Sequence, residues 1–309
     1  RRAVRVIFHK GKGYQMSALG LIGGRTMSDL ITMDDLSNDE ILEILDSAER
    51  LVPVAKGDVY APLLQGKVLG NLFFENSTRT RMSFESAMKR LGGEVVNLSS
   101  VGSSVAKGET LYDTMQMVDG YSDIAAIRHP RQGAAQYSAD AIGIPVLNAG
   151  DGAGNHPTQT MLDLFTIRES HGTIDGLNVV LVGDLRYGRT THSLSHALVR
   201  FGAKLTLVSP DSLRMPDEIV RDLKSHGSEV VETEDMAGSI AEADVIYMTR
   251  IQKERFPDED EYTKVAGIYK MTADDLAGAK GGMIVMHPLP RVDEIDPSVD
   301  STKHAKYFQ

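Results

Sequence analysis

The chain has 309 residues, 41% of them hydrophobic and 25% charged, with a formal net charge of −10. That length suits two domains with real cores, and the acidic balance argues against a basic nucleic-acid-binding surface. With no cysteine there is no disulfide, no cysteine nucleophile and no cysteine-ligated metal within the chain. The lack of disulfides fits a reducing compartment, so the cytoplasm is the expected location. No run is long enough to span a bilayer, and no membrane partner is expected.

Residues 1–27 mix basic residues, glycines and a short apolar segment, Ala18–Ile22. This reads as a poorly ordered extension rather than a secretory leader, with Met16 and Met27 as alternative starts. Alternation of helix and strand begins after Thr32. Ser37 is a capping candidate for a helix with Ile41, Leu42, Leu45 and Ala48 on one face. Lys67–Phe74 reads as a strand, followed by a polar turn and a helix carrying Met82, Phe84, Ala87, Met88 and Leu91. Strands are predicted at Glu94–Leu98, Ile124–Arg128 and Pro145–Asn148, with a helix over Leu111–Met117. In the second half, strands are predicted at Leu177–Val182, Lys204–Val208, Ser228–Val231, Asp244–Met248 and Met283–Met286. Helices at Thr191–Arg200 and Glu218–Ser225 lie between them.

Strands alternating with helices imply parallel sheets, and in such sheets ligands sit beyond the carboxyl ends of the strands. The fold expected is therefore α/β, with two doubly wound parallel-sheet domains. The glycine-rich NAGDGAGNHPT segment marks the boundary, giving a first domain over 28–157 and a second over 158–309.

The chemistry-bearing segments sit at these strand ends. In FFENSTRTR (Phe73–Arg81) a helix start offers unpaired N–H groups, hydroxyls from Ser77, Thr78 and Thr80, and the fork of Arg79. A plain capped helix with exposed arginines is the alternative for that segment taken alone. GDLRYGRT (Gly183–Thr190) approaches a phosphate-binding P-loop, but Arg189 stands where the lysine belongs. It also lacks the glycine spacing of a dinucleotide fingerprint. In NHPTQ (Asn155–Gln159), Pro157 suits the first turn of a helix and His156 its entrance. MHPLPR (Met286–Arg291) is a stiff loop whose Pro288 and Leu289 carbonyls are available as acceptors. TRIQKE (Thr249–Glu254), SSVAKGET (Ser103–Thr110) and Arg128 in IRHPR complete the set. Together these segments supply cations and donors without a nucleophile–base pair or a metal cluster. Such a site suits multiply anionic substrates and catalysis by positioning and charge stabilisation.

These segments, with VGDLRYGRTTHSL, MTRIQKER and MHPLPRVDEI in the same order, resemble the aspartate carbamoyltransferase catalytic chains from about Ser28 onward. S-T-R-T-R is shared with the ornithine enzymes, but those usually carry a cysteine after the histidine of the late loop, where Pro288 stands here. The resemblance implies carbamoyl transfer from carbamoyl phosphate to L-aspartate in pyrimidine biosynthesis, with no cofactor and no metal, in a cleft between the two domains. By resemblance, Ser77, Thr78, Arg79 and Thr80 bind the phosphate, and Thr80, Arg128 and His156 polarise the carbamoyl carbonyl. Gln159 and the Pro288 and Leu289 carbonyls hold the carbamoyl NH2, while Arg189, Arg250 and Gln252 serve aspartate. Ser103 and Lys107 reach a neighbouring subunit's site, which implies a homotrimer. Some relatives also pair with a zinc-containing regulatory chain, in which case the zinc belongs to that partner. The family continues past KYFQ with a terminal helix, so the sequence reads as shortened there. An ornithine-type enzyme, a P-loop-like nucleotide hydrolase and a non-catalytic scaffold are the alternative readings.

Overall fold

The computed structural model describes residues 29–100, 102–152, 154–251 and 259–308. The chain forms two compact units, Arg1–Met161 and Leu162–Gln309.

In the first unit the predicted Ser37 cap is a reciprocal capping box. Ser37 Oγ accepts from Glu40 N at 3.3 Å, and Glu40 Oε2 accepts from Ser37 N at 2.7 Å. It opens α1 (Asn38–Lys56), which buries Ile41 and Leu45. Next come β1 (Val68–Phe73), α2 (Thr78–Arg90), β2 (Glu94–Ser99) and α3 (Leu111–Tyr121). They are followed by β3 (Ile124–His129), α4 (Ala134–Ala141), β4 (Val146–Asp151) and α5 (Pro157–His171), within which the division between the units falls.

The four strands are all parallel, in the order β2-β1-β3-β4. Apolar side chains are buried against both faces. Leu72, Ile127, Met115, Val118 and Ala139 form one cluster, and Leu69, Ala126, Leu64 and Met88 form the other. A sheet covered on both faces explains why its inner strands read as unbroken apolar runs.

The second unit contains β5 (Asn178–Val182), α6 (Arg189–Val199), β6 (Lys204–Val208), α7 (Asp217–Ser225) and β7 (Val230–Thr233). The chain then forms α8 (Met236–Ile240), β8 (Val245–Met248), α9 (Glu259–Val265) and β9 (Ile284–Met286). Its five strands are again parallel, in the order β7-β6-β5-β8-β9. The core on one face is built from Val180, Val182, Ile246, Met248, Val285 and Met271. Among the described residues, no helix is long and apolar enough to cross a membrane.

Both strand orders reverse direction once. In the first sheet the chain leaves β1 towards β2 and returns on the other side of β1 as β3; in the second it leaves β5 towards β6 and β7 and returns beside β5 as β8. Where connections depart to opposite sides of a sheet, a crevice opens beyond the carboxyl ends of the two central strands. The two crevices therefore lie beyond β1 and β3, and beyond β5 and β8.

Candidate active site

The first crevice is bordered by the segment after β1. Phe73 pairs with Arg128 across β1 and β3, and Phe74 N donates to Arg128 O at 2.8 Å. The helix start at α2 therefore stands beside the end of β3. Ser77 is the N-cap, extended at φ −157° and ψ 113°, but its side chain makes no capping bond, and no acidic residue lies in the first turn. A helix end with its dipole unanswered by a side chain presents positive potential and N–H donors to an anion. Thr78 and Arg79 on this turn are exposed, while Ser77 and Thr80 are half-buried. The turn is tied down from beneath. Buried Asn71, in the middle of β1, donates through Nδ2 to Arg81 O at 3.3 Å and to Asn97 Oδ1 at 2.9 Å.

Arg128 is the buried cation of this crevice, with a side chain 13% exposed and Nε 3.2 Å from Glu75 Oε2. Opposite it the ladder slips: Ile127 pairs with Asn148 but His129 with Asp151, so β4 carries one extra residue. Such a bulge re-aims the facing side chain, and Arg128 Nη1 donates to the bulged Ala149 carbonyl at 3.4 Å. Burial pushes the Arg128 guanidinium below its ordinary value and the like charge of Arg79 adds to this, while Glu75 opposes both. Two guanidiniums that repel one another, with Glu75 paired to Arg128, are arranged to receive more negative charge.

The end of β4 organises the neighbouring loops. Asp151, 3% exposed, accepts from Gly133 N at 2.7 Å through Oδ2. Through Oδ1 it accepts from Asn155 N at 2.8 Å and Asn148 Nδ2 at 3.2 Å. One carboxylate thus clasps the loop after β3 to the loop that leads into α5. Gly152, at φ +52°, lets the chain pass close by, since a Cβ there would stand 2.7 Å from Gln132 N. His156 comes next, buried, with Nδ1 3.3 Å from Thr158 Oγ1. When the hydroxyl donates to Nδ1, the ring proton stays on Nε2, which makes that nitrogen a hydrogen-bond donor. Pro157 opens α5 as predicted, and Gln159 is half-buried in its first turn, its N–H donating to His156 O at 3.0 Å.

After β2 the chain makes a 3-10 turn, Ser104–Lys107. Ser103 Oγ donates to Ser100 O at 3.3 Å, and Lys107 ends the turn exposed.

The second crevice begins at Gly183. Its φ of +120° and its contact with the end of β8 both demand glycine, because a Cβ would stand 2.2 Å from Thr249 O. Thr249 in turn donates from N to Val182 O at 2.8 Å. The chain turns as Tyr187 N donates to Asp184 Oδ1 at 2.9 Å, and Arg189 becomes the first residue of α6. Arg250 comes directly after Thr249, so the two half-buried arginines flank the β5–β8 crevice. Gln252 lies outside the described residues.

Beyond β9, His287 and Glu294 are buried and 2.6 Å apart, Nε2 to Oε1. Leu289 N donates to His287 Nδ1 at 2.7 Å, and Val292 N and Asp293 N both donate to Glu294 Oε2 at 3.1 Å. Burial pushes the Glu294 carboxyl up, but the donors around it, His287 first, outweigh burial and hold it below its usual range. Leu289 has φ +53° and precedes a cis peptide bond to Pro290. Pro288 and Leu289 are half-buried in this loop. Arg291 leaves it to pair with Asp300, while its guanidinium stacks over the Tyr307 and Phe308 rings at 5.5 and 5.2 Å.

The sequence did not single out Glu75, Asp151 or Glu294. Glu75 and Asp151 lie inside the motifs FFENSTRTR and NAGDGAGNHPT, but nothing in a single chain marks a carboxylate as a clasp. Glu294 sits in VDEI, an ordinary charged run.

Two family models match the chain. "Aspartate/ornithine carbamoyltransferase, carbamoyl-P binding domain" covers residues 28–169, and "Aspartate/ornithine carbamoyltransferase, Asp/Orn binding domain" covers residues 175–309. The aspartate carbamoyltransferase catalytic subunit of Archaeoglobus fulgidus is 55% identical over 284 residues, covering 92% of this chain and 94% of that one. The solved catalytic subunit of M. jannaschii aspartate transcarbamoylase is 50% identical with a TM-score of 0.86, covering 91% of this chain and 92% of its own. Trypanosoma cruzi aspartate transcarbamoylase, solved with carbamoyl aspartate and phosphate, is 40% identical with a TM-score of 0.87, covering 94% and 93%. By sequence over most of its length, and by the fold of both units, the chain belongs to the aspartate/ornithine carbamoyltransferase family.

Proposed function

We propose that this chain transfers the carbamoyl group of carbamoyl phosphate to the amine of L-aspartate, giving N-carbamoyl-L-aspartate and phosphate. The observation that carries the reading is the cationic strand-end constellation: an acid-free, uncapped helix start with Arg79 beside buried Arg128, in a chain of this family. Aspartate is preferred to ornithine as acceptor because Arg189 and Arg250 flank the second crevice. Two guanidiniums answer two carboxylates, whereas ornithine's side-chain ammonium would be repelled.

In this reading the first-turn N–H groups of α2, the Ser77, Thr78 and Thr80 hydroxyls and Arg79 hold the phosphate. Arg128, His156 and Thr80 donate to the carbamoyl oxygen. As the neutral amine attacks the carbonyl carbon, negative charge gathers on that oxygen, and these donors stabilise it more than the ground-state carbonyl. Gln159 and the Pro288 and Leu289 carbonyls orient the carbamoyl NH2. When the tetrahedral species collapses, the carbon–oxygen bond to phosphate breaks, and the leaving dianion stays with Arg79 and Lys107. The amine's proton leaves with the phosphate. We assign Ser103 and Lys107 to a neighbouring subunit's site, and the working unit to a cytoplasmic homotrimer with shared sites, the domains being 28–157 and 158–309.

The test offers aspartate and ornithine separately with carbamoyl phosphate, identifies the product by mass, and weighs the assembly by light scattering. Carbamoylation of ornithine in preference to aspartate would overturn the assignment. Sharing of sites is tested by mixing inactive Arg79→Ala and Lys107→Ala chains. Partial recovery of activity is expected, and no recovery after subunit exchange would refute the shared site.

A further inference from the structure

The loop after β9 holds itself in shape through a closed circuit of hydrogen bonds. Leu289 N donates to His287 Nδ1, His287 Nε2 meets Glu294 Oε1, and Glu294 Oε2 takes the N–H groups of Val292 and Asp293. The circuit has only one consistent set of protons. Because Nδ1 accepts from a main-chain N–H, the ring proton must be on Nε2, where it donates to the carboxylate. Both side chains are withdrawn from solvent, 1% and 6% exposed, so water cannot stand in for a lost partner. Leu289 sits at φ +53°, a conformation a leucine adopts only when its surroundings impose it.

We propose that Glu294 is a positioning residue for donor specificity: acting through the His287 tautomer, it fixes Leu289 so that the Pro288 and Leu289 carbonyls select a carbamoyl NH2. This rests on the proposed function, in which those two carbonyls face that group. The residue itself touches no substrate. Its effect is confined to the one substrate group that needs two acceptors in fixed places, and it leaves the phosphate alone.

Glu294→Gln is the discriminating change, since an amide cannot complete the circuit in either orientation. With its oxygen towards His287, its NH2 faces the N–H groups of Val292 and Asp293. Turned round, it forces the ring proton onto Nδ1 and deprives Leu289 N of its acceptor. Dissociation constants are measured without aspartate for carbamoyl phosphate, for acetyl phosphate (a methyl in place of the NH2) and for inorganic phosphate. The parent enzyme is expected to bind carbamoyl phosphate at least about a hundredfold more tightly than acetyl phosphate, because the methyl leaves two acceptors unpaired. Glu294→Gln is expected to reduce that ratio about tenfold, the size of one lost hydrogen bond, with phosphate affinity within about twofold of the parent. An unchanged ratio in the variant overturns the proposal while leaving the role of the two carbonyls standing. Equal loss of phosphate affinity overturns it too, since that marks general disorder. A parent enzyme that does not discriminate at all refutes the underlying reading instead. If Glu294→Gln does not fold, Glu294→Asp keeps the charge but is too short to reach both partners. It should lower the ratio at least about threefold, and parent-like discrimination would refute the proposal.

Discussion

Asp151 offers the sharpest test of how the first unit holds its chemistry in place. Its carboxylate is 3% exposed and receives three donors, from Gly133 N at 2.7 Å, Asn155 N at 2.8 Å and Asn148 Nδ2 at 3.2 Å. Of these, Asn148 Nδ2 also donates to Ile31 O at 2.9 Å and would keep that bond. Asp151→Ala therefore deprives two main-chain N–H groups of a charged acceptor. At roughly 1–3 kcal/mol for each donor stranded, the loss of stability should be about 2–6 kcal/mol. Asp151→Asn keeps one oxygen but presents an NH2 to one set of donors, and should cost about 1–2 kcal/mol. The same clasp joins the loop after Arg128 to the loop before His156. Loosening it should lower kcat/KM by roughly 10–100-fold, the penalty of misplacing catalytic donors by about an ångström. Urea unfolding followed by circular dichroism gives the first quantity and steady-state kinetics the second. An Asp151→Ala enzyme within about 1 kcal/mol of the parent and with unchanged kcat/KM would refute the reasoning.

Replacing Arg79 with alanine should remove about 3–5 kcal/mol of transition-state stabilisation, lowering kcat/KM at least about a hundredfold; a near-parental rate would exclude it from the phosphate site. Gly183→Ala combines a disfavoured φ of +120° with a Cβ 2.2 Å from Thr249 O. It should destabilise the second unit by about 3 kcal/mol or more, seen as a fall in Tm by calorimetry, and an unchanged Tm would show that β5 and β8 are not fixed as described. The Asp296 carboxyl is held at about 2, first by the Ser298 N–H and then by Lys270. Because the shift is downward, its contribution to stability is complete above the ordinary aspartate range and fades as pH falls through about 2. Asp296→Asn should therefore be less stable than the parent at neutral pH and equal to it at the acid end, with a pH-independent gap as the contrary result.

Strands such as Leu177–Val182 and Asp244–Met248 were legible because a parallel strand buried on both faces must be apolar along its whole length. The polar segments at their ends were legible for the complementary reason: a chain leaving such a sheet changes composition abruptly. Helix α4 was not, because AAQYSADA buries only alanines and Ser138, leaving no large apolar stripe to count. The bulge opposite Arg128 was hidden too, since an extra residue in β4 shows only once β3 lies beside it. Ser77, Arg79, His156 and Arg189 could be nominated from local context, as each opens or precedes a helix after a strand. Glu75, Asp151 and Glu294 act through pairings between segments that one chain read in order does not reveal.

The two reversals of strand order have an evolutionary consequence. Each sheet presents its own crevice from its own loops, so the proposed phosphate grip and the proposed acceptor site are encoded in separate stretches of the gene. A lineage could recruit a different amine by rewriting the turns after β5 and β8 while inheriting the turns after β1 and β9 untouched. Diversification of acceptors around one unchanging activated donor is the path of least resistance that this architecture opens.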